Sequence, residues 1–165
     1  MIIKCFVDIS STYWIGVLAH EYSHFLQCIN NNRLWLKFQD SVFENVDDLE
    51  SIFYKKNNVM KKRLRKKISR HIINMELDCD KQAIKLINKY KLPVNKKEYI
   101  AKANVILYKY LYWGEFGVLP DFIDKKTGKT PSYKNIKFTR LLSEDKYKDI
   151  KNIPKSLLDI FKENS

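Results

Sequence analysis

A single, predominantly helical α+β domain is what this sequence predicts, on three observations. Apolar residues recur at helical spacing over two long segments, one reaching Tyr90 and one running from Asn95 to Gly114. Residues suited to extended backbone cluster on the N-terminal side, at Ile2 to Ile9 and Arg33 to Phe43. The chain has 165 residues, 45% hydrophobic, with four Gly and four Pro, which is enough for one packed core and excludes disordered and collagen-like classes.

Taken in order, Ile2 to Ile9 reads as a strand, and Ser10-Ser11-Thr12 offers hydroxyl caps to a helix from about Tyr13 to Cys28. Ile15, Leu18, Phe25, Leu26 and Ile29 give that helix its apolar side, and Asn30-Asn31-Asn32 stops it. Arg33 to Phe43 alternates Leu34, Leu36 and Phe38 with polar or aromatic neighbours, the pattern of a short strand or hairpin arm. Asp47-Asp48 opens a short helix to Lys56.

After Asn57-Asn58, the residues Leu64, Ile68, Ile72, Met75, Cys79, Ala83 and Leu86 or Ile87 form one long stripe that continues to Tyr90 and that Pro93 terminates. Asn95 with Glu98 three residues later has the form of a capping box, and Ile100, Ala103, Leu107 and Leu111 carry a further helix to Gly114. Residues 118 to 139 read as loop, followed by short helices near Leu141 to Ile150 and Pro154 to Lys162. The expected organisation is a core over about 1–115 with a loop-rich C-terminal extension over 116–165.

The formal charge of +12 suits nucleic acid, anionic lipid or an acidic partner. Twenty-six of the 31 cations are Lys, however, in a chain rich in Ile, Asn and Tyr, as AT-rich codon usage would produce. No uncharged apolar run reaches 18 residues, since Lys109 interrupts the best one, so a membrane span is excluded. The N-terminus has no basic leader, and a cytoplasmic location is expected. Cys5, Cys28 and Cys79 are odd in number and lack a CxxC pair, so reduced thiols are expected.

The chemistry concentrates in His20-Glu21-Tyr22-Ser23-His24, an H-E-x-x-H pattern within the first helix. Residues four apart share a helix face, so both imidazoles can reach one zinc ion, with Zn–N about 2.0–2.1 Å. Glu21 is about 100° around the helix from His20, poorly placed as a ligand but able to serve a water molecule as general base. The motif takes two of the only three histidines in the chain.

A catalytic zinc site uses three protein ligands and one open position. Glu76 and Asp80, four apart on the long helix, supply candidates: one carboxylate to ligate, the other to hold His20 or His24 by its second ring nitrogen. The test is convergence: the Glu76 carboxylate must come within about 5 Å of both imidazole tips.

H-E-x-x-H followed about fifty residues later by E-x-x-x-D resembles the gluzincin branch of the zincin metallopeptidases. The stretch from Glu76 to Ala83 is similar to the corresponding helix of ImmA/IrrE-type peptidase domains, and the small size and codon usage resemble small phage or prophage metallopeptidases. The resemblance covers residues 13 to 90. It implies a minimal zincin-like fold with an active-site helix, a second metal-ligand helix and one or two short strands, located in the host cytoplasm if phage-encoded. It also implies Zn2+ held by His20, His24 and Glu76, Glu21 as general base and acid, Asp80 as support, and a protein or peptide substrate. Ser23 stands where many relatives have Gly, Cys79 replaces an Ala, and only some twelve residues precede the active-site helix where zincins place several strands.

Other candidates are weaker. His71 diverges from Glu76 on its helix, and Cys28 lies one turn beyond His24, where a buried thiol is expected. Tyr108, Tyr110 and Tyr112 are candidates to polarise a carbonyl. Lys61, Lys62, Arg63, Arg65, Lys66, Lys67 and Arg70 place seven cations in ten residues. That stripe supports an alternative function, a nucleic-acid or anionic-partner binding module with a structural zinc. A solvated helix face is favoured, because Leu64 and Ile68 continue the apolar stripe through it.

Overall fold

A computed structural model describes residues 13–43, 61–120 and 138–165. Its α-helices are α1 (Tyr13–Ile29), α2 (Arg33–Phe43), α3 (Lys62–Lys89), α4 (Lys96–Phe116) and α5 (Lys155–Glu163), with single 3-10 turns at Glu144–Tyr147 and Ile150–Asn152. There is no strand among the described residues. The Ile2 to Ile9 strand and the Asp47 to Lys56 helix lie outside them. No described helix is long and apolar enough to cross a membrane.

Helix α3 is the spine, with α1 and α2 packed on one side and α4 on another. Ile68, Ile72, Met75, Cys79, Ala83 and Ile87 are all buried, as the stripe predicts. A second row, Ser69, Ile73, Leu77 and Asp80, is buried as well, because the helix is covered on two sides. Asn95 caps α4 as expected, its side chain accepting the Glu98 N–H at 3.3 Å.

Three expectations about the helices change. Arg33 to Phe43 is helix α2, not a strand. The alternation was real but short, and the same residues also fit an i, i+4 row: Leu34 and Phe38 are half-buried and Val42 is buried, while Leu36 is 41% exposed. Asn32 accounts for the helix start, since its Oδ1 accepts the Leu34 N–H at 2.8 Å. The same residue closes α1, donating its N–H to Gln27 O at 2.9 Å beyond a left-handed Asn31 at φ 48°.

Helix α4 also passes Gly114 and ends at Gly117, whose φ of 80° suits the left-handed cap. Gly114 is instead a close crossing with α3, where a β-carbon would stand 2.6 Å from Ser69 Cβ. Finally, the region read as helical from Leu141 to Ile150 holds a 3-10 turn at Glu144–Tyr147, and a second begins at its last residue, Ile150.

Residues 138–165 are built into the interior. Tyr147, Ile153, Leu157 and Phe161 share one cluster with Ile73, Leu77, Leu107, Tyr108 and Tyr112. Buried Asn104 on α4 fastens this segment, donating to Ile100 O and Arg140 O and accepting the Leu142 N–H and the Tyr147 hydroxyl. Cys28 is half-buried rather than buried, and it and Cys79 are free thiols.

Candidate metal centre

The helical repeat stacks His20 and His24 on the face of α1 that meets α3, with ring centroids 4.7 Å apart and edges to faces. Glu76 projects from α3 between them. Its Oε2 lies 3.0 Å from His20 Nε2 and its Oε1 lies 3.5 Å from His24 Nε2. Three potential ligand atoms from these residues lie within 4.8 Å of one another. Neighbouring donors around a tetrahedral zinc stand about 3.3 Å apart, given bonds of about 2.0–2.1 Å, and the two separations from Glu76, 3.0 and 3.5 Å, lie near that spacing, so this group could hold a metal ion.

Each imidazole is held from behind. Asp80 Oδ1 accepts from His20 Nδ1 at 2.9 Å, one of the two partnerships the spacing allowed. The same oxygen accepts the Tyr99 hydroxyl at 2.7 Å. His24 Nδ1 lies 3.0 Å from Cys79 Sγ. With Nδ1 so engaged, Nε2 of each ring faces Glu76.

Burial opposes charge on His20, but its bonds to Asp80 and Glu76 outweigh that and raise its pKa to about 10. Burial likewise opposes charge on Glu76, yet the bonds from His20 and His24 hold its carboxyl down at about 2. Burial, and then the carboxylates of Glu76, Asp78 and Asp80, push the Cys79 thiol up, so it supports His24 as a neutral thiol.

Two further contacts set the register of α1 on α3. Gln27, buried one turn beyond His24, donates Nε2 to Met75 O at 3.2 Å and to Asp78 Oδ2 at 2.8 Å. Ser23 is fully buried and returns its hydroxyl to Ala19 O at 2.8 Å, which satisfies that polar atom within α1.

A cavity of about 440 Å3 opens over the cluster and is lined by His20, Glu21, His24 and Glu76 together with an α4 wall. That wall is Tyr99, Lys102, Ala103, Ile106 and Tyr110, one stripe of the helix. Glu21 is exposed and outside the ligand group, as its angle around the helix required. Of the three candidate tyrosines, Tyr110 lines the cavity, while Tyr108 and Tyr112 are buried in the core cluster.

The remaining candidates lie elsewhere. His71 bonds through Nδ1 to Lys37 O at 3.1 Å and to the Ser41 hydroxyl, outside the ligand group. Arg65 is buried and donates to Gly114 O and Glu115 O at 3.2 and 3.1 Å, capping the end of α4. Lys62 and Lys66 both pair with the Glu115 carboxylate. Lys61, Arg63, Lys67 and Arg70 are exposed and line a groove of about 590 Å3.

Reading the motifs alone misses Tyr99, Cys79 and Gln27 as supports. Cys79 was within reach, since it lies on the same helix as Glu76; nothing local marks Tyr99, which comes from a third helix. No family model matches the chain, and neither a curated protein nor a solved structure does.

Proposed function

We propose that the chain is a zinc-dependent metallopeptidase, with His20, His24 and Glu76 as ligands. The observation that carries the reading is convergence: one carboxylate from α3 reaches both imidazoles of α1, in a cavity that Glu21 also lines. A zinc ion held by this set supplies Lewis acidity, polarising a carbonyl and making water more acidic. Glu21 takes the proton of the attacking water and returns it to the leaving amine. Asp80 and Cys79 keep the imidazoles oriented. Val17, Ala103 and Ile106 give the cavity an apolar lining for a peptide side chain, and its volume is within the ordinary range for ligand sites.

The test is zinc content and hydrolysis of a mixed peptide pool, measured on the wild type and on Glu21→Gln. The expected result is about one zinc in each protein and a loss of turnover of at least about 100-fold in the variant. Unaltered turnover in Glu21→Gln removes the mechanism.

The second reading, an anionic-partner module with a structural cation, rests on the groove lined by Lys61, Arg63, Lys67 and Arg70. It requires binding that weakens steeply with salt, without hydrolysis of any peptide.

A further inference from the structure

Glu76 and Asp80 account for two of the carboxylates at the site, but the motif says nothing about what holds Asp80. Asp80 is buried, where a carboxylate keeps one orientation only if its oxygens have fixed partners. Its Oδ1 has two, the His20 ring at 2.9 Å and the Tyr99 hydroxyl at 2.7 Å.

Tyr99 enters from the first turn of α4, so a third helix joins a site otherwise built from two. Its ring lies against α1 at Gly16, one helical turn before His20. A β-carbon on Gly16 would sit 2.8 Å from Tyr99 Cδ2 and 3.4 Å from Val94 Cγ1, so only a residue without one leaves room for the ring. Tyr99 is itself 6% exposed, which leaves the ring little freedom to move aside. The contacts close a loop: α1 at Gly16 seats the ring, the ring's hydroxyl fixes Asp80 on α3, and Asp80 fixes His20 back on α1.

We propose that Tyr99 is a positioning residue, orienting His20 through Asp80, with Gly16 as the notch that admits its ring. This rests on the metal-binding reading above. Partners one shell out from a metal contribute about 10–100-fold to its affinity by fixing ring orientation, and a carboxylate held at one oxygen by two donors is restrained against rotation.

The experiment measures zinc affinity of the full chain by competition with a chromophoric chelator, and the visible spectrum of the cobalt(II)-loaded protein. Tyr99→Phe keeps the ring and removes only the hydroxyl. Its expected effect is about a tenfold loss of zinc affinity and altered cobalt ligand-field bands. In an Asp80→Ala background the same substitution is expected to change affinity less than about twofold, a coupling that loss of packing alone would not produce. Gly16→Ala, which displaces the ring, is expected to follow Tyr99→Phe. Affinity within about twofold of wild type with an unchanged cobalt spectrum overturns the proposal, as does an equal loss in both backgrounds. Should Asp80→Ala or Gly16→Ala not fold, affinity and spectrum of Tyr99→Phe alone decide. A wild type that takes up neither zinc nor cobalt overturns the metal reading and this proposal with it, whereas zinc uptake indifferent to Tyr99 overturns only the latter.

Discussion

The first and second halves of α3 are built from the same helical repeat and serve different ends. Over Lys61 to Arg70 the helix is crowded with cations, and over Glu76 to Asp80 with carboxylates. In the first half, three of seven cations are engaged with the end of α4: Arg65 on its last carbonyls, Lys62 and Lys66 on Glu115. In the second half, Glu76 and Asp80 both face α1 and meet its two histidines. Three members of a run of like charge are therefore tied into local structural contacts and four stay exposed, while two pairs four residues apart converge on one another. Spacing was the more informative signal, because it dictates which side chains share a face, whereas charge density does not.

The contrast can be broken from either side. Glu76→Ala is expected to lower zinc affinity by more than about 100-fold, since removing an outer partner alone costs about 10–100-fold. Arg65→Ala is expected to leave zinc content at wild-type level and to cost about 2–3 kcal/mol of stability in urea titration, because it uncovers carbonyls at a buried helix end. Loss of zinc from Arg65→Ala would mean that the two halves are not independent. The double change Lys62→Ala with Lys66→Ala should cost only about 1 kcal/mol or less, and less again in high salt, because both lysines are at least half exposed.

The smallest effect is expected midway along the helix, at His71. Burial depresses its pKa below 6.5, and the cations Lys67, Lys37 and Arg70 add to this against the opposing bond from Lys37 O. At this residue the unfolded chain therefore takes up a proton first as pH falls, so the contribution of His71 to folded stability declines from about pH 6.5 downward. The urea midpoint at pH 5.5 relative to that at pH 7.5 should be higher in His71→Gln than in the wild type, whatever His20 adds with the opposite sign, and an unchanged difference would exclude His71 as a source of acid sensitivity.

How much could be read without coordinates follows the same division between patterns and contacts. Helices α3 and α4 were legible because each carries a long apolar stripe and a cap or breaker at its end, with Pro93 for one and Asn95 for the other. The convergence of His20, His24 and Glu76 was legible because two four-residue spacings each leave one geometric outcome per helix. Helix α2 was not, since over Leu34 to Phe38 a period of two and a period near four select overlapping residues, and Val42, which decides between them, lies at the far end. The stop at Gly114 failed for a related reason: glycine serves both as a left-handed cap and as a gap for a neighbour, and only the contact with Ser69 separates the uses. Tyr99 and Asn104 were illegible because their partners are brought by tertiary folding and leave no periodic trace.

Asn104 gives the molecule a property that no single helix has. It follows directly after Ala103, so α4 presents one side to the cavity and another to the C-terminal segment that Asn104 grips by three polar contacts. The wall opposite the histidines is thus also the backstop of the C-terminal segment. Lining the cavity and anchoring the C-terminal segment are two duties of the same rod, so neither surface can be redesigned without reckoning with the other.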